Sequence, residues 1–401
     1  MTSTHYASAL AALVVGIGIG WLGSHTTAGS SIPPASALGP ALSAALAEGS
    51  PTLRSQRLAE AVAHLDASNV AALVEFIERE RTVLTDWEVR LLFEAWTRLD
   101  PAAAAAHPFT AWGMRKRQVA METVVERWGL DEPLAAARFV EQRLEAMPRR
   151  GQHLLHPFLV GWVHSGVPGV FDYITELPVP SRPAATLAMV GSQVRRLGVE
   201  GLLQWAESRV GQGNETLQRD FFRRVTKAVA RRDPAAASVW VMAHVDQEYA
   251  IDGVRLVAER WLPRAPDAAF AWLSDEAPER LRVAALESAA SRWMTRDLDG
   301  AGEWLESRSL APLHDPILAV YARRLATRDG ESAIAWAERV QGGARRIEIL
   351  QEVATLWYSR APAAAEVWLE TSPLVEAARH AVRRPPPGKK PRRSPLAGGR
   401  G

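Results

Sequence analysis

Cysteine is absent from this 401-residue chain, which excludes disulfides, thiolate metal sites, a cysteine nucleophile and a lipidated N-terminal cysteine. Lysine is scarce. Of 47 basic residues, only Lys116, Lys227, Lys389 and Lys390 are not arginine, a bias that with the Ala richness points to a GC-rich genome. No charged residue precedes Glu48, so Lys/Arg asymmetry gives no orientation to the apolar run from Ala7 to Leu22. Catalytic signatures are missing as well: there is no Walker loop, no G-x-S-x-G, no H-E-x-x-H and no G-x-G-x-x-G following a strand. The nearest metal-like spacing is His153-x-x-His156 with His164 behind it, and it lacks a matching carboxylate ligand. Neither catalysis nor a cofactor or metal is therefore expected.

Tryptophan, in contrast, is abundant, and it is periodic. Of 15 Trp, 12 fall on two series. The first reads Trp96, Trp128, Trp162, Val194, Val229, Trp261, Trp293, Leu325 and Trp357. The second follows about three helical turns behind it: His107, Phe139, Tyr173, Trp205, Trp240, Trp272, Trp304, Trp336 and Trp368. Successive members of each series are about 32 residues apart, and a fixed period of this size marks a stacked repeat array. A half-matching unit at Leu65 and Phe76 suggests an N-terminal capping repeat.

One repeat predicts two helices. Leu281, Ala284, Ala285, Ser288, Ala289 and Trp293 recur at helical spacing and form one face of a first helix. Four residues past the first anchor stand Asp100, Asp233, Asp297 and Asp329, twice followed at once by Pro, the pattern of an N-cap opening a second helix. Eight residues past the anchor, Ala104, Ala136, Ala237, Ala269, Ala301, Ala333 and Ala365 put a small residue on the face that carries the second anchor. A small residue lets helix backbones approach and a large one fills the space beside them. Two short helices cannot bury such faces alone, so an all-α solenoid of about nine to ten two-helix repeats of ~32 residues is expected. Aromatics that follow this period are core positions rather than a ligand stripe.

The run Arg328-Asp329-Gly330-Glu331-Ser332-Ala333-Ile334-Ala335-Trp336-Ala337 resembles the second helix of the tetratricopeptide class of repeats, and the likeness extends over residues 60 to 370. The repeat is also similar to bacterial arrays with a W-x-x-R-D-P-x-A-A-x-x-W theme. The resemblance implies protein or peptide binding.

The expected organisation is a membrane anchor or signal segment over 1–29, a linker over 30–52, a repeat domain over 53–375 and a basic, Pro-rich disordered tail over 376–401. The run from Ala7 to Leu22 falls short of the ~20 residues that span a bilayer comfortably. It carries Gly16, Gly18 and Gly20, a small-residue face tolerated in membrane helices. A single-pass anchor with the repeat domain outside the cytoplasm is expected. Secretion after cleavage near Ala35-Ser36-Ala37, or a merely apolar N-terminus, are the alternatives. The whole chain is +2, and residues 383–401 alone contribute seven basic residues and no acid, so the remainder is net −5.

One polar series keeps time with the repeats. Arg232, Arg264, Arg296, Arg328 and Arg360 each lie three residues after a first anchor. They form either a ladder able to clasp an extended acidic partner or a set of cations that each complement the carbonyl end of a helix. The function that follows is a non-catalytic, envelope-associated scaffold that binds protein or peptide along a concave surface. The rivals are a polysaccharide-processing or polysaccharide-binding α/α protein, and a nucleic-acid-binding repeat protein. The acidic balance of the array argues against the second. The N-terminal reading predicts that the full-length protein sediments with membranes. Recovering it N-terminally intact from the cytosol would defeat both anchor and signal.

Overall fold

The structure, a computed structural model, describes residues 37–384. Among the described residues there are 21 α-helices and no strand, in agreement with the all-α expectation. They gather into two compact units, divided between Val124 and Val125. The anchor or signal segment over 1–29 and the tail beyond residue 384 lie outside the described residues. Among those described, no helix is long and apolar enough to cross a membrane. Helices Leu38–Leu46 and Glu376–Arg383 fall in stretches read from the sequence as linker and tail. Leu38, Leu42 and Val382 are buried, so apolar contacts carry the folded chain past both ends of the clear periodicity.

The repeat is a helical hairpin, and its turn is nearly invariant. The carbonyl oxygen of Val229, Trp261, Trp293, Leu325 and Trp357 accepts the amides three and four residues on, at 2.7–3.0 Å. This sharing of one carbonyl ends the first helix and aims the chain into the second. The Asp in the next slot then caps that second helix. Asp100, Asp233, Asp297 and Asp329 accept from the amides of Ala103, Ala236, Gly300 and Ser332 at 2.8, 2.9, 2.9 and 3.1 Å. Hydrogen bonds from Ser332 hold the Asp329 carboxyl below the usual carboxylate range. Its contribution to stability is therefore complete above the unfolded carboxylate range and fades as pH falls through the folded value. Where the slot holds no Asp, another device replaces it. Ala265 and Ala361 adopt a similar extended backbone ahead of Pro266 and Pro362. Gly166 and Gly198 take left-handed φ values of 74° and 70°, a conformation glycine reaches without a Cβ penalty. Gly198 thereby breaks the long stretch Arg182–Glu207 into the two helices of its own repeat.

Packing follows the small-and-large pattern. All seven Ala eight residues past the anchor are 0% exposed. Rings of the two anchor series meet within a repeat: Trp96 and His107 at 5.6 Å, Trp128 and Phe139 at 5.6 Å, Trp162 and Tyr173 at 5.2 Å, Trp261 and Trp272 at 5.7 Å, and Trp293 and Trp304 at 5.8 Å. These centroid separations suit tilted and edge-to-face aromatic pairs. Within the second unit, the first helices Glu215–Ala230, Gly253–Trp261, Glu279–Met294, Asp315–Leu325 and Gly343–Tyr358 pack each against the next. A Cβ at Gly330 would overlap the Trp357 indole, so the first anchor of one repeat lies against the second-helix start of the repeat before it.

The buried face of the first helix differs from the one expected. In Glu279–Met294 the buried residues are Ala285, Leu286, Ala289, Ala290, Trp293 and Met294, while Ala284 is exposed and Leu281 and Ser288 are half-buried. This helix packs on its hairpin partner and on two neighbouring first helices, so its apolar arc is two residues wide per turn and displaced from the one-sided stripe. The Ser288 hydroxyl points out of the core and donates to Glu259 at 2.7 Å.

Trp272 is 4% exposed. Replacing it with Ala should destabilise the protein by roughly 3–5 kcal/mol, the range for losing a large buried aromatic. Replacing Asp297 with Ala should cost about 0.5–2 kcal/mol by removing the helix cap. Chemical denaturation of both variants checks the order: a larger effect for the cap than for the ring would contradict the core assignment.

Candidate functional site

The turn arginines occupy one structural position. Arg232, Arg264, Arg296, Arg328 and Arg360 all lie in the turn after a first helix and all are exposed. Their amides bond the first-anchor carbonyl at 2.7–2.9 Å, which fixes the direction in which each side chain leaves the turn. The guanidinium groups have different fates. Arg264 donates to the Arg231 carbonyl at 2.9 Å, at the end of the preceding repeat's first helix. Arg328 meets Asp299 at 3.2 Å in a solvent-exposed pair, a geometry that adds little stability. Arg232, Arg296 and Arg360 make no side-chain hydrogen bond or ion pair among the described residues.

A second polar series, not singled out in the sequence, lies on the first helices. Arg260, Arg292 and Arg324 each stand one residue before a first anchor. Arg292 and Arg324 each face the residue two before the anchor in the preceding repeat. Arg324 donates to Ser291 at 3.0 Å, and Arg292 stands 4.0 Å from Glu259. Glu259 is heavily used: Arg255 and Ser288 also donate to it, at 2.6 and 2.7 Å. Further along, Arg323 reaches Glu352 at 2.5 Å, and Arg345 joins Glu348 to Glu287, two repeats away, at 2.9 Å each. An open groove between helices Asp315–Leu325 and Gly343–Tyr358 is lined by Arg323, Glu348, Gln351, Glu352, Thr355 and Leu356. The available signal was the recurrence of Arg260, Arg292 and Arg324 exactly one repeat apart. It was masked by its place beside the stronger tryptophan series.

Many polar contacts join positions about one repeat apart. Trp112 donates to Glu78 at 2.9 Å, Trp304 to Asp267 at 2.6 Å, and Arg196 to the His164 carbonyl at 3.4 Å. Bonds at this separation tie neighbouring repeats through two indole N–H groups and helix-end carbonyls, alongside surface ion pairs such as Arg323–Glu352 and Arg328–Asp299.

The histidines of the H-x-x-H spacing lie on helix Pro148–Ser165. His153 and His156 are exposed, whereas burial and the nearby Arg196 and Arg195 hold His164 below the usual imidazole range. Among the described residues no group of three or more potential metal ligands occurs. Comparison with protein-family models found no match, and neither did searches of curated proteins or of solved structures.

Proposed function

We propose that this protein is a non-catalytic scaffold: an α-solenoid of tetratricopeptide-like hairpins, held at the cell envelope by its N-terminal apolar segment, that binds a protein or peptide partner. The observation that carries this reading is the row of five turn arginines at one register, all exposed. Repeating cations at a fixed pitch suit an extended acidic segment, because each exposed contact contributes only ~0.2–1 kcal/mol and affinity comes from multiplicity. The stepwise packing of first helices supports the solenoid, since stacking is how two-helix units bury their remaining faces. The charge-free N-terminus around Ala7 to Leu22 supports the envelope location, with the repeats outside the cytoplasm.

Two measurements test the proposal. Small-angle scattering should give a radius of gyration well above that of a compact protein of this mass; a compact value would remove the solenoid. The triple variant Arg264→Gln, Arg296→Gln, Arg328→Gln should lose partner capture in pull-downs from native membranes, with native capture falling steeply as salt rises. Its melting temperature should drop only slightly, because of the three only Arg264 bonds a helix-end carbonyl, that of Arg231. Unchanged capture with a lowered melting temperature would assign these arginines to helix ends alone.

A further inference from the structure

The first-helix series breaks at one step. Arg292 faces Glu259 and Arg324 faces Ser291, each an acceptor two residues before the preceding anchor. The equivalent positions one step earlier hold Arg260 and Lys227, on helices Gly253–Trp261 and Glu215–Ala230, which pack together. Two cations therefore occupy a step that elsewhere holds a donor and an acceptor.

The surroundings neutralise this step only in part, through Glu259. Asp220 is taken by Arg223 and Arg224, the latter at 2.8 Å. Glu259 serves Arg255, Ser288 and Arg292. Lys227 and Arg260 make no hydrogen bond or ion pair among the described residues, although both are half-buried. The Nε of Arg292 is buried without a hydrogen-bond partner. Burial, then Arg223 and Arg260, hold the Lys227 ammonium below its usual range. Burial, then Arg292 and Arg231, do the same to Arg260. Like charges brought together under partial burial are costly unless an anion joins them.

Resting on the scaffold reading above, we infer that Lys227, Arg260 and Arg292 form a docking point for clustered carboxylates of an acidic peptide segment. Lys227 and Arg260 come from consecutive first helices that pack together, with Arg292 one helix further on; the Lys offers a rotatable point charge and each arginine a planar fork that donates to a carboxylate in bidentate fashion. The chain's own termini supply no acidic side chain, since no Asp or Glu precedes Glu48 and none lies in residues 383–401. A nucleic acid suits the face less well. Glu259, Glu287, Glu348 and Glu352 recur along the same helices, and a polyphosphate backbone with a charge at every step would meet them. A peptide can place acidic side chains at the cationic step and neutral or basic ones beyond it.

The test is fluorescence anisotropy with fluorescein-labelled octaglutamate and the full-length protein. The double variant Lys227→Gln, Arg260→Gln should weaken binding about tenfold, from loss of two partly buried charge contacts. Its melting temperature should hold or rise, because a like-charge repulsion is removed. Lys227→Arg, which keeps the charge, should bind like the native protein. Binding by the double variant within twofold of native overturns the inference, and so does loss of binding in Lys227→Arg, which would make the effect structural. An octathymidylate probe bound as tightly as octaglutamate, or octaglutamate displaced by millimolar inorganic phosphate, would overturn it too, reassigning the site to a general oxyanion. Native protein that captures partners from membranes yet ignores octaglutamate overturns this inference and leaves the scaffold reading standing. Failure of capture itself would remove the scaffold reading.

Discussion

The close approach of two helices over an alanine is the constraint on which seven of the nine repeats depend, Val170 and Leu202 holding the slot in the other two. The seven Ala eight residues past the anchor have no exposed surface, and a larger side chain introduced at one of them, where the neighbours are packed around a methyl group, would cost about 1–3 kcal/mol by overpacking. With the backbones close, the two anchors reach each other and their rings meet at 5.6–5.8 Å in four of these repeats, and at 5.2 Å in the repeat that carries Val170. The shared anchor carbonyl and the Asp cap hold the turn that makes this approach possible. Alanine and turn are thus two halves of one device: the turn sets the crossing and the small residue permits it.

The same device decides which surface is free for chemistry. Because the second helix covers one side of the first and neighbouring first helices cover two more, a narrow arc of the first helix remains. The residues one and two before the anchor project there. This arc carries Arg292 opposite Glu259 and Arg324 opposite Ser291, with Arg260 and Lys227 at the equivalent register one step earlier. Its register is fixed by the core, so a charge change at one repeat alters one rung and leaves the fold alone. On the scaffold reading proposed above, variation along this face would specify a partner without disturbing packing, since the stability of a repeat array is a sum of local terms.

The two arginine series divide the surface in different ways. Those in the turns are exposed, and two of them also serve the structure by meeting a helix-end carbonyl or a carboxylate. Those on the helices are half-buried or, like the exposed Arg324, bonded to the preceding repeat, and one rung is left with two cations. A solvated charge responds chiefly to salt, whereas a partly buried unpaired charge discriminates among ligands because part of its water has already been removed by folding.

Periodicity alone determined that the chain is helical, where each hairpin turns, and which alanines go inside, because turn chemistry and residue size act locally; most of the aromatics followed, but Phe139, Trp205, Trp261 and Trp368 stay half-buried. The caps at Asp100, Asp233, Asp297 and Asp329 and the burial of the seven alanines were legible for that reason. The turn arginines were legible as a series but not in their partners, since only tertiary placement brings Arg264 to the Arg231 carbonyl and Arg328 to Asp299. The true buried arc of the first helix was decided by packing against two neighbours, which a single-helix pattern cannot register. The Lys227–Arg260 step was likewise invisible in the sequence, where a full repeat separates the two. Stacking of consecutive first helices places them side by side, and contact between positions one repeat apart belongs to the assembled repeats.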